Sequence, residues 1–398
     1  MATAATAQKR VLLTGNDAAA EAFRQINPDV VAAYPITPQT ELMHKFAQYH
    51  ADGLVDTELV LVESEHSAMS ACVGSSAAGA RTCTATSSQG LALMVEICYI
   101  AAATRLPIVM CVINRALSAP INIHCDHSDA MLARDSGWIQ LWSENSQEAY
   151  DNTIQAVRIA EHPDVLTPVM VNLDGFILSH TAETLDILDD HAVRDFVGTY
   201  QPQRSLLDTD NPYTFGALFL TDNYFEAKRQ QVAAIEGAFP VIEAVGRDYE
   251  GISGRSYGIL EPYQVDDADF VVVAMGSTCG TAKVAVDRAR SEGVKAGLLK
   301  IRVYRPFPAE QIITALGGAK AVGVLDRAVS PGLVGGPLFH EIRSCAYGRL
   351  SVPFASYIYG LGGRDIFAED IQRVFSDLAE IAKSGQAPSE ATYIGVRE

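Results

Sequence analysis

The chain has 398 residues, 48% of them hydrophobic, and a formal net charge of −18. That is enough apolar material for a core divided over two domains. The acidity argues against a nucleic-acid partner or an anionic membrane surface, since both reward a basic face. The first ten residues, MATAATAQKR, lack the apolar centre of a secretory signal and read as a loose tail on a cytoplasmic protein. RVLLTG (10–15) follows as a strand ending in a turn, with Asn16 or Asp17 placed to cap the helix AAAEAFRQI. DVVAAY (29–34) is a strand and PQTELMHKFAQYH (38–50) a helix with Pro38 in its first turn. ELVLVE (58–63) is a strand, and residues 65–80 form a helix of very small side chains that can approach a neighbour closely. RTCTATS (81–87) and PIVMCVI (107–113) are strands on either side of the helix 89–104. Glu96, Arg105 and Pro107 interrupt the apolar run 91–113, so it reads as a buried helix and strand rather than a membrane span. TPVMVNLDG (167–175) is one more strand. Strands separated by helices imply a parallel sheet covered on both faces.

From about Gly175 to Gly251 this rhythm is lost. The segment reads as a docked connector with an irregular stretch near 199–216 and one helix over 225–249. A second alternating unit then begins. Its strands fall at 268–277, 295–301, 320–326 and 352–363, and its helices at 278–293, 308–316 and 335–347. The expected class is α/β with two doubly wound parallel-sheet domains, residues 1–250 and 251–398. The seven cysteines form no C-x-x-C pair. They read as buried, reduced thiols, with no iron–sulfur cluster or zinc ribbon on this chain.

Four stretches carry candidate chemistry. Tyr34-Pro35-Ile36-Thr37-Pro38 follows the carboxyl end of a strand, the edge where open α/β sheets bind ligands. The prolines brace Thr37, which either caps the next helix or presents its hydroxyl to a ligand. In VESEHSAM, Glu63 and Glu65 flank Ser64 where a strand meets a helix. One carboxylate can cap that helix, or be held buried to share a proton with a ligand nitrogen. Arg115 ends the strand 107–113, where a guanidinium suits bidentate capture of a carboxylate. The following His124-Cys125-Asp126-His127-Ser128-Asp129 matches no standard metal spacing and reads as a polar loop beside the pocket. The glycine loops at 330–337 and 360–365 are neither a dinucleotide fingerprint nor a P-loop, and read as tight turns.

Together these stretches resemble the α-type chain of the thiamine diphosphate-dependent 2-oxoacid:ferredoxin oxidoreductases. AYPITPQTELM resembles the family's Y-P-I-T-P signature, and ESEHSAMSACVGSSAAGARTCTATSSQGLALM its S-E-x-x-A…G-A…T-x-T-x-S-x-G-L segment. NRALSAPINI with DSGWIQ resembles the arginine strand and its loop. YRPFP, VLDRAVSPG and GLGGRDI sit where the family has like segments. The resemblance implies a pyrimidine-side thiamine domain followed by a transketolase C-terminal-like domain. It implies a β-type partner holding the diphosphate and Mg²⁺, a γ-type subunit and a ferredoxin-like cluster subunit, with the 4Fe–4S clusters on partner subunits. It also implies coenzyme A and ferredoxin, or another acceptor, as reaction partners. Glu65 falls where the family's glutamate meets the aminopyrimidine ring, Arg115 where its arginine holds the substrate carboxylate, and Thr37 where a hydroxyl positions the substrate. Gln89, in SSQGL, falls at the cofactor pocket. The implied reaction is oxidative decarboxylation of a 2-oxoacid, pyruvate foremost, to acyl-CoA and carbon dioxide. Asp126-His127-Ser128-Asp129 departs from the aromatic-rich loop of many pyruvate-type chains, which leaves an aryl or branched acid such as phenylglyoxylate open. Thr37 in place of an arginine points away from the oxalate-cleaving branch. An ordinary thiamine enzyme component without cluster electron transfer is the other alternative.

Overall fold

The computed structural model describes residues 8–397. In chain order the first half contains β1 (Gln8–Thr14), α1 (Gly15–Ile26), β2 (Val30–Ala33), α2 (Thr40–Ala51), β3 (Glu58–Leu61) and α3 (Glu65–Ala77). It continues with β4 (Thr82–Thr86), α4 (Ser88–Ala103), β5 (Val109–Asn114), α5 (Ser128–Leu132), β6 (Ile139–Trp142), α6 (Ser146–Glu161) and β7 (Val169–Asp174). A connector follows, with β8 (Ala182–Leu188), α7 (Asp190–Val197), α8 (Tyr224–Glu236) and α9 (Phe239–Ser253). The second half runs β9 (Leu260–Tyr263), β10 (Phe270–Ala274), α10 (Thr278–Ser291), β11 (Ala296–Ile301), β12 (Val303–Arg305), α11 (Ala309–Leu316) and β13 (Ala321–Asp326). It ends with α12 (Pro337–Ala346), β14 (Phe354–Ile358), α13 (Ala368–Ser384) and β15 (Thr392–Tyr393).

Two sheets organise these elements. The first has the strand order β12-β6-β7-β5-β4-β2-β3, parallel except for the β12 edge. Its central strands β4, β5 and β7 are buried at every residue, as expected when helices cover both faces. One face packs Phe23, Phe46, Tyr150 and Tyr249, and the other Met69, Leu91, Met94 and Trp138. The second sheet has the order β15-β14-β13-β10-β11-β9, parallel except for the β9 edge. Helices α10 and α13 cover one face of it, and α11 and α12 the other. This is the doubly wound α/β class expected from the alternation of strands and helices.

Several local expectations are corrected. Residues 8–10 of the supposed loose tail belong to β1, which pairs antiparallel with β8 from Gln8↔Leu188 to Thr14↔Ala182. The strand is therefore half of a separate ribbon, not a member of the parallel sheet, and residues 1–7 of that tail lie outside the described residues. Thr14 caps α1 in a reciprocal capping box with Asp17, leaving Asn16 free to reach the Pro38 carbonyl at 2.9 Å. The single helix expected over 225–249 is two, because Gly237 ends α8 and Pro240 opens the first turn of α9. Helix α6 escaped notice because its buried face carries Asp151, Asn152 and Gln155, which are satisfied by Arg255 and Arg302. The first two residues of the YRPFP segment end β12, which leaves the second half of the chain to close the first sheet beside β6, pairing Val303↔Leu141.

Candidate functional site

Chain order reverses in the first sheet between β2 and β4. From β2 the chain moves outward to β3, then crosses back to β4 and on to β5. The carboxyl ends of parallel strands on either side of such a reversal diverge and leave a crevice. All four candidate residues follow strands that meet at this edge: Thr37 after β2, Glu65 after β3, Gln89 after β4 and Arg115 after β5.

Glu65 is the first residue of α3 and is 7% exposed. It is not the helix cap. Ser64 takes that role, accepting the Ser67 N–H at 3.2 Å, while the exposed Glu63 accepts the Ser67 hydroxyl at 2.5 Å. Among the described residues Glu65 has no hydrogen-bond partner. Its carboxylate lies against the first turn of α4, where only glycine leaves room. A Cβ at Gly90 would stand 2.8 Å from Glu65 Oε1 and 2.5 Å from Thr86 Oγ1. Thr86 Oγ1 and Ser87 Oγ beside it are buried without partners among the described residues. Buried polar groups of this kind call for a ligand that bonds them. A nitrogen heterocycle with an exocyclic amine, which offers both donors and acceptors, fits that set. Gln89 stands next to it, half-buried, with Oε1 accepting the Ser88 hydroxyl at 2.7 Å.

Arg115 is nearly buried, and burial pulls its pKa down while the Asp129 charge pushes it back up. Two of its donors are spent on main-chain carbonyls, Nε on Asn122 at 3.0 Å and Nη1 on Thr37 at 2.9 Å. Among the described residues no carboxylate pairs with the guanidinium and Nη2 has no hydrogen bond, so its outer edge can take an anion. The contact also ties the β2 turn to the end of β5. Thr37 does not cap α2. That place belongs to Gln39, which makes no side-chain capping bond, and Thr37 itself is exposed with its hydroxyl unengaged among the described residues.

The segment 124–129, expected as a polar loop beside the pocket, is for the most part buried. Cys125, Asp126, His127 and Asp129 are buried and bonded inward. Asp126 accepts from the Ser128 N–H and hydroxyl. His127 Nε2 lies 2.9 Å from Asp174 Oδ1, and Asp174 Oδ2 accepts from Ser277 N–H and Oγ and from Arg327 Nη1. Burial opposes ionisation of Asp174, but His127 and Arg327 hold its carboxyl below the usual carboxylate range. These polar side chains serve the joint between the two sheets, so their polarity says little about the substrate. The glycine loop at 360–365 meets the same segment, with Gly363 N–H donating to the Cys125 carbonyl and Asn122 to that of Gly362. A second acidic cluster, Glu144, Glu148 and Glu261, surrounds the Lys300 ammonium at 2.5–2.8 Å. A cavity of about 870 Å³ lies at the other end of the first sheet, under the connector, away from these residues.

Thr86, Gly90, the Pro38 contact of Asn16 and the bridging role of Asp129 carry no conspicuous local pattern in the sequence beyond a glycine in the first turn of a helix.

Two family models match the chain. The thiamine diphosphate-binding model of pyruvate flavodoxin/ferredoxin oxidoreductase covers residues 21–246, and that of pyruvate:ferredoxin oxidoreductase core domain II covers 268–371. The chain is 56% identical over 391 residues to the pyruvate synthase subunit PorA of Thermotoga maritima, covering 98% of this chain and 99% of that one. It is 48% identical over 390 residues to PorA of Methanocaldococcus jannaschii, covering 97% and 98%. A ketoisovalerate oxidoreductase subunit VorA of Pyrococcus abyssi is 43% identical over 384 residues, covering 96% of each. Among solved structures, a 2-oxoglutarate:ferredoxin oxidoreductase from Magnetococcus marinus superposes with a TM-score of 0.72 at 21% identity. It covers 92% of this chain, which spans 65% of that longer one, and at this identity the likeness is one of fold.

Proposed function

Because the chain belongs to the pyruvate:ferredoxin oxidoreductase family, we propose that it is the α-type subunit of a multi-subunit enzyme that oxidatively decarboxylates pyruvate to acetyl-CoA. The observation that carries this reading is Glu65, a buried carboxylate without a hydrogen-bond partner among the described residues, set at the switch-point crevice against Gly90. Identity favours pyruvate, at 56% to a pyruvate synthase subunit against 43% to a ketoisovalerate oxidoreductase subunit. Thiamine diphosphate, when bound, supplies the nucleophilic carbon and the electron sink for decarboxylation. Glu65 would bind the aminopyrimidine ring of that group and hold a proton at its carboxylate for a ring nitrogen. Thr86, Ser87 and Gln89 are the polar groups that border the ring. Arg115 holds the substrate carboxylate with its outer guanidinium edge, and the Thr37 hydroxyl donates to a substrate oxygen.

The remaining parts belong to other chains. A β-type subunit would hold the diphosphate and Mg²⁺, a γ-type and a ferredoxin-like subunit would complete the assembly, and 4Fe–4S clusters on partner subunits would supply one-electron acceptors. Coenzyme A captures the acyl group, and ferredoxin is the final acceptor. No helix of the described residues is long and apolar enough to cross a membrane, and the cytoplasm is the proposed location.

The test is purification of the native assembly and assay of coenzyme A-dependent viologen reduction with pyruvate, 2-oxoisovalerate, 2-oxoglutarate and phenylglyoxylate. Pyruvate is expected to give the highest kcat/KM. Glu65→Gln should lower kcat by roughly 10²–10⁴-fold, the span of a proton-transfer group. Preference for another acid would overturn the substrate, and unchanged turnover in Glu65→Gln would overturn the site.

A further inference from the structure

Asp129 lies on neither of the loops that carry the candidate groups, yet it joins them. It is fully buried, and its two oxygens accept four hydrogen bonds. Oδ1 takes Asn114 Nδ2 at 3.0 Å and its neighbour's Ala130 N–H at 2.7 Å. Oδ2 takes two main-chain donors from different strand ends, Ser88 N–H after β4 and Arg115 N–H after β5, each at 2.9 Å.

The Ser88 end of this bridge is strained. Its φ of 46° is in the left-handed region that a residue with a Cβ seldom adopts. Such a conformation persists only where surrounding bonds over-determine it, and it gathers at functional sites. Here two donors hold it: the N–H to Asp129, and the hydroxyl, whose one proton is shared between the Ala116 carbonyl at 2.6 Å and Gln89 Oε1 at 2.7 Å. Two residues further on is Gly90, the glycine against Glu65. At the other end, Arg115 carries the guanidinium that holds the Thr37 carbonyl.

We propose that Asp129 is a positioning residue that fixes the Glu65 side of the pocket relative to the Arg115 side through one shared carboxylate oxygen. The inference rests on the reading of Glu65 and Arg115 given above and adds a residue that touches neither cofactor nor substrate. It acts through the spacing of two strand ends, where a shift of about 1 Å costs up to 10²-fold in rate.

The experiment uses the assembled enzyme with Asp129→Asn, which keeps the shape but removes the two-acceptor carboxylate. Amide hydrogen exchange read by mass spectrometry should speed up in the peptides holding Ser88 and Arg115, and stay unchanged in the β10–β13 core. In the same preparation kcat should fall and KM for the oxoacid should rise, each by about tenfold. Arg115→Lys is expected to raise mainly KM, and Glu65→Gln to lower mainly kcat. Should Asp129→Asn fail to assemble, Asn114→Ser loosens the same carboxylate from its other oxygen and should move both constants the same way, by about threefold. Lost amide protection with unchanged constants overturns the proposal. So does a loss of rate that only tracks the fraction of thiamine-loaded sites, since that is a folding effect. Unchanged kinetics in both Glu65→Gln and Arg115→Lys would instead overturn the reading of the site itself.

Discussion

Glu65 has its setting because position 90 carries no side chain. A methyl there would press on both the Thr86 hydroxyl and the Glu65 carboxylate, at 2.5 and 2.8 Å, and the carboxylate is the part able to move. Gly90→Ala should therefore cost activity out of proportion to stability. A rate loss on the order of 10²-fold is expected, with about 1–3 kcal/mol of destabilisation from overpacking; steady-state kinetics and thermal denaturation of one preparation check the pair. Thr37 poses the complementary case, since its side chain is exposed and unengaged among the described residues. Thr37→Val should leave the melting temperature in place and raise KM for pyruvate about tenfold, the worth of one hydrogen bond to a charged group. An unchanged KM would return the YPITP turn to a purely structural role. Thr37, Glu65 and Arg115 stood out as candidates in the sequence because each sits in a short, unusual string at the end of an apolar run, whereas Gln89 came only from the family resemblance. Gly90 and Asp129 were not, because their importance lies in what stands opposite them in space.

Strand β13 and helix α12 form a unit whose joint is one acid. Asp326, the last residue of β13, accepts the N–H groups of Leu338 and Phe339 at 2.8 and 3.0 Å in the first turn of α12. Gly336 makes this possible, since a Cβ there would fall 2.2 Å from Asp326 Cγ. This is the purpose of the glycine loop at 330–337, which the sequence presented only as a turn. Burial pushes the Asp326 pKa from 3.8 up to about 7, against the pull of the two N–H groups. The folded chain thus keeps this proton to about pH 7, whereas the unfolded chain releases it near pH 4. Between those values the folded state binds more protons, so this group's share of the unfolding free energy falls as pH rises. Asp326→Asn removes that slope. The stability of the variant relative to the parent should improve from pH 5 to pH 8, as read from thermal midpoints; a constant difference would refute the assignment. The same lesson about context applies to α6, whose buried Asp151 and Asn152 hide an apolar stripe from any periodicity count.

The whole molecule is held together by more than a linker. Strand β12 closes the first sheet with residues from the second half. Asp174 of β7 is bound by His127 of the first half and by Ser277 and Arg327 of the second, all buried except for the partly buried Ser277. Removing one member of a buried charge pair leaves the other uncompensated, at a cost of about 3–5 kcal/mol. Arg327→Met should be destabilised by that amount, and the double variant with Asp174→Asn by clearly less than the sum of the two singles. Denaturant unfolding of the three variants measures the coupling, and additive losses would show that the bond is incidental. The joint also places the 124–129 segment, and with it Asp129, so a structural contact remote from Glu65 reaches the pocket.

The sequence by itself determined the α/β class, the alternation of strands and helices, and the strings that end at the candidate groups. These follow from local periodicity and turn chemistry, which neighbouring residues settle among themselves. Only the tertiary structure decided which strand ends adjoin, that β1 leaves the main sheet for β8, and that β12 crosses to the other one. It alone placed the polar HCDHSD string in a largely buried joint and made Asp129 the link between Ser88 and Arg115. Pairings between residues far apart in the chain depend on burial and on which donors find which acceptors, and no local window contains both partners.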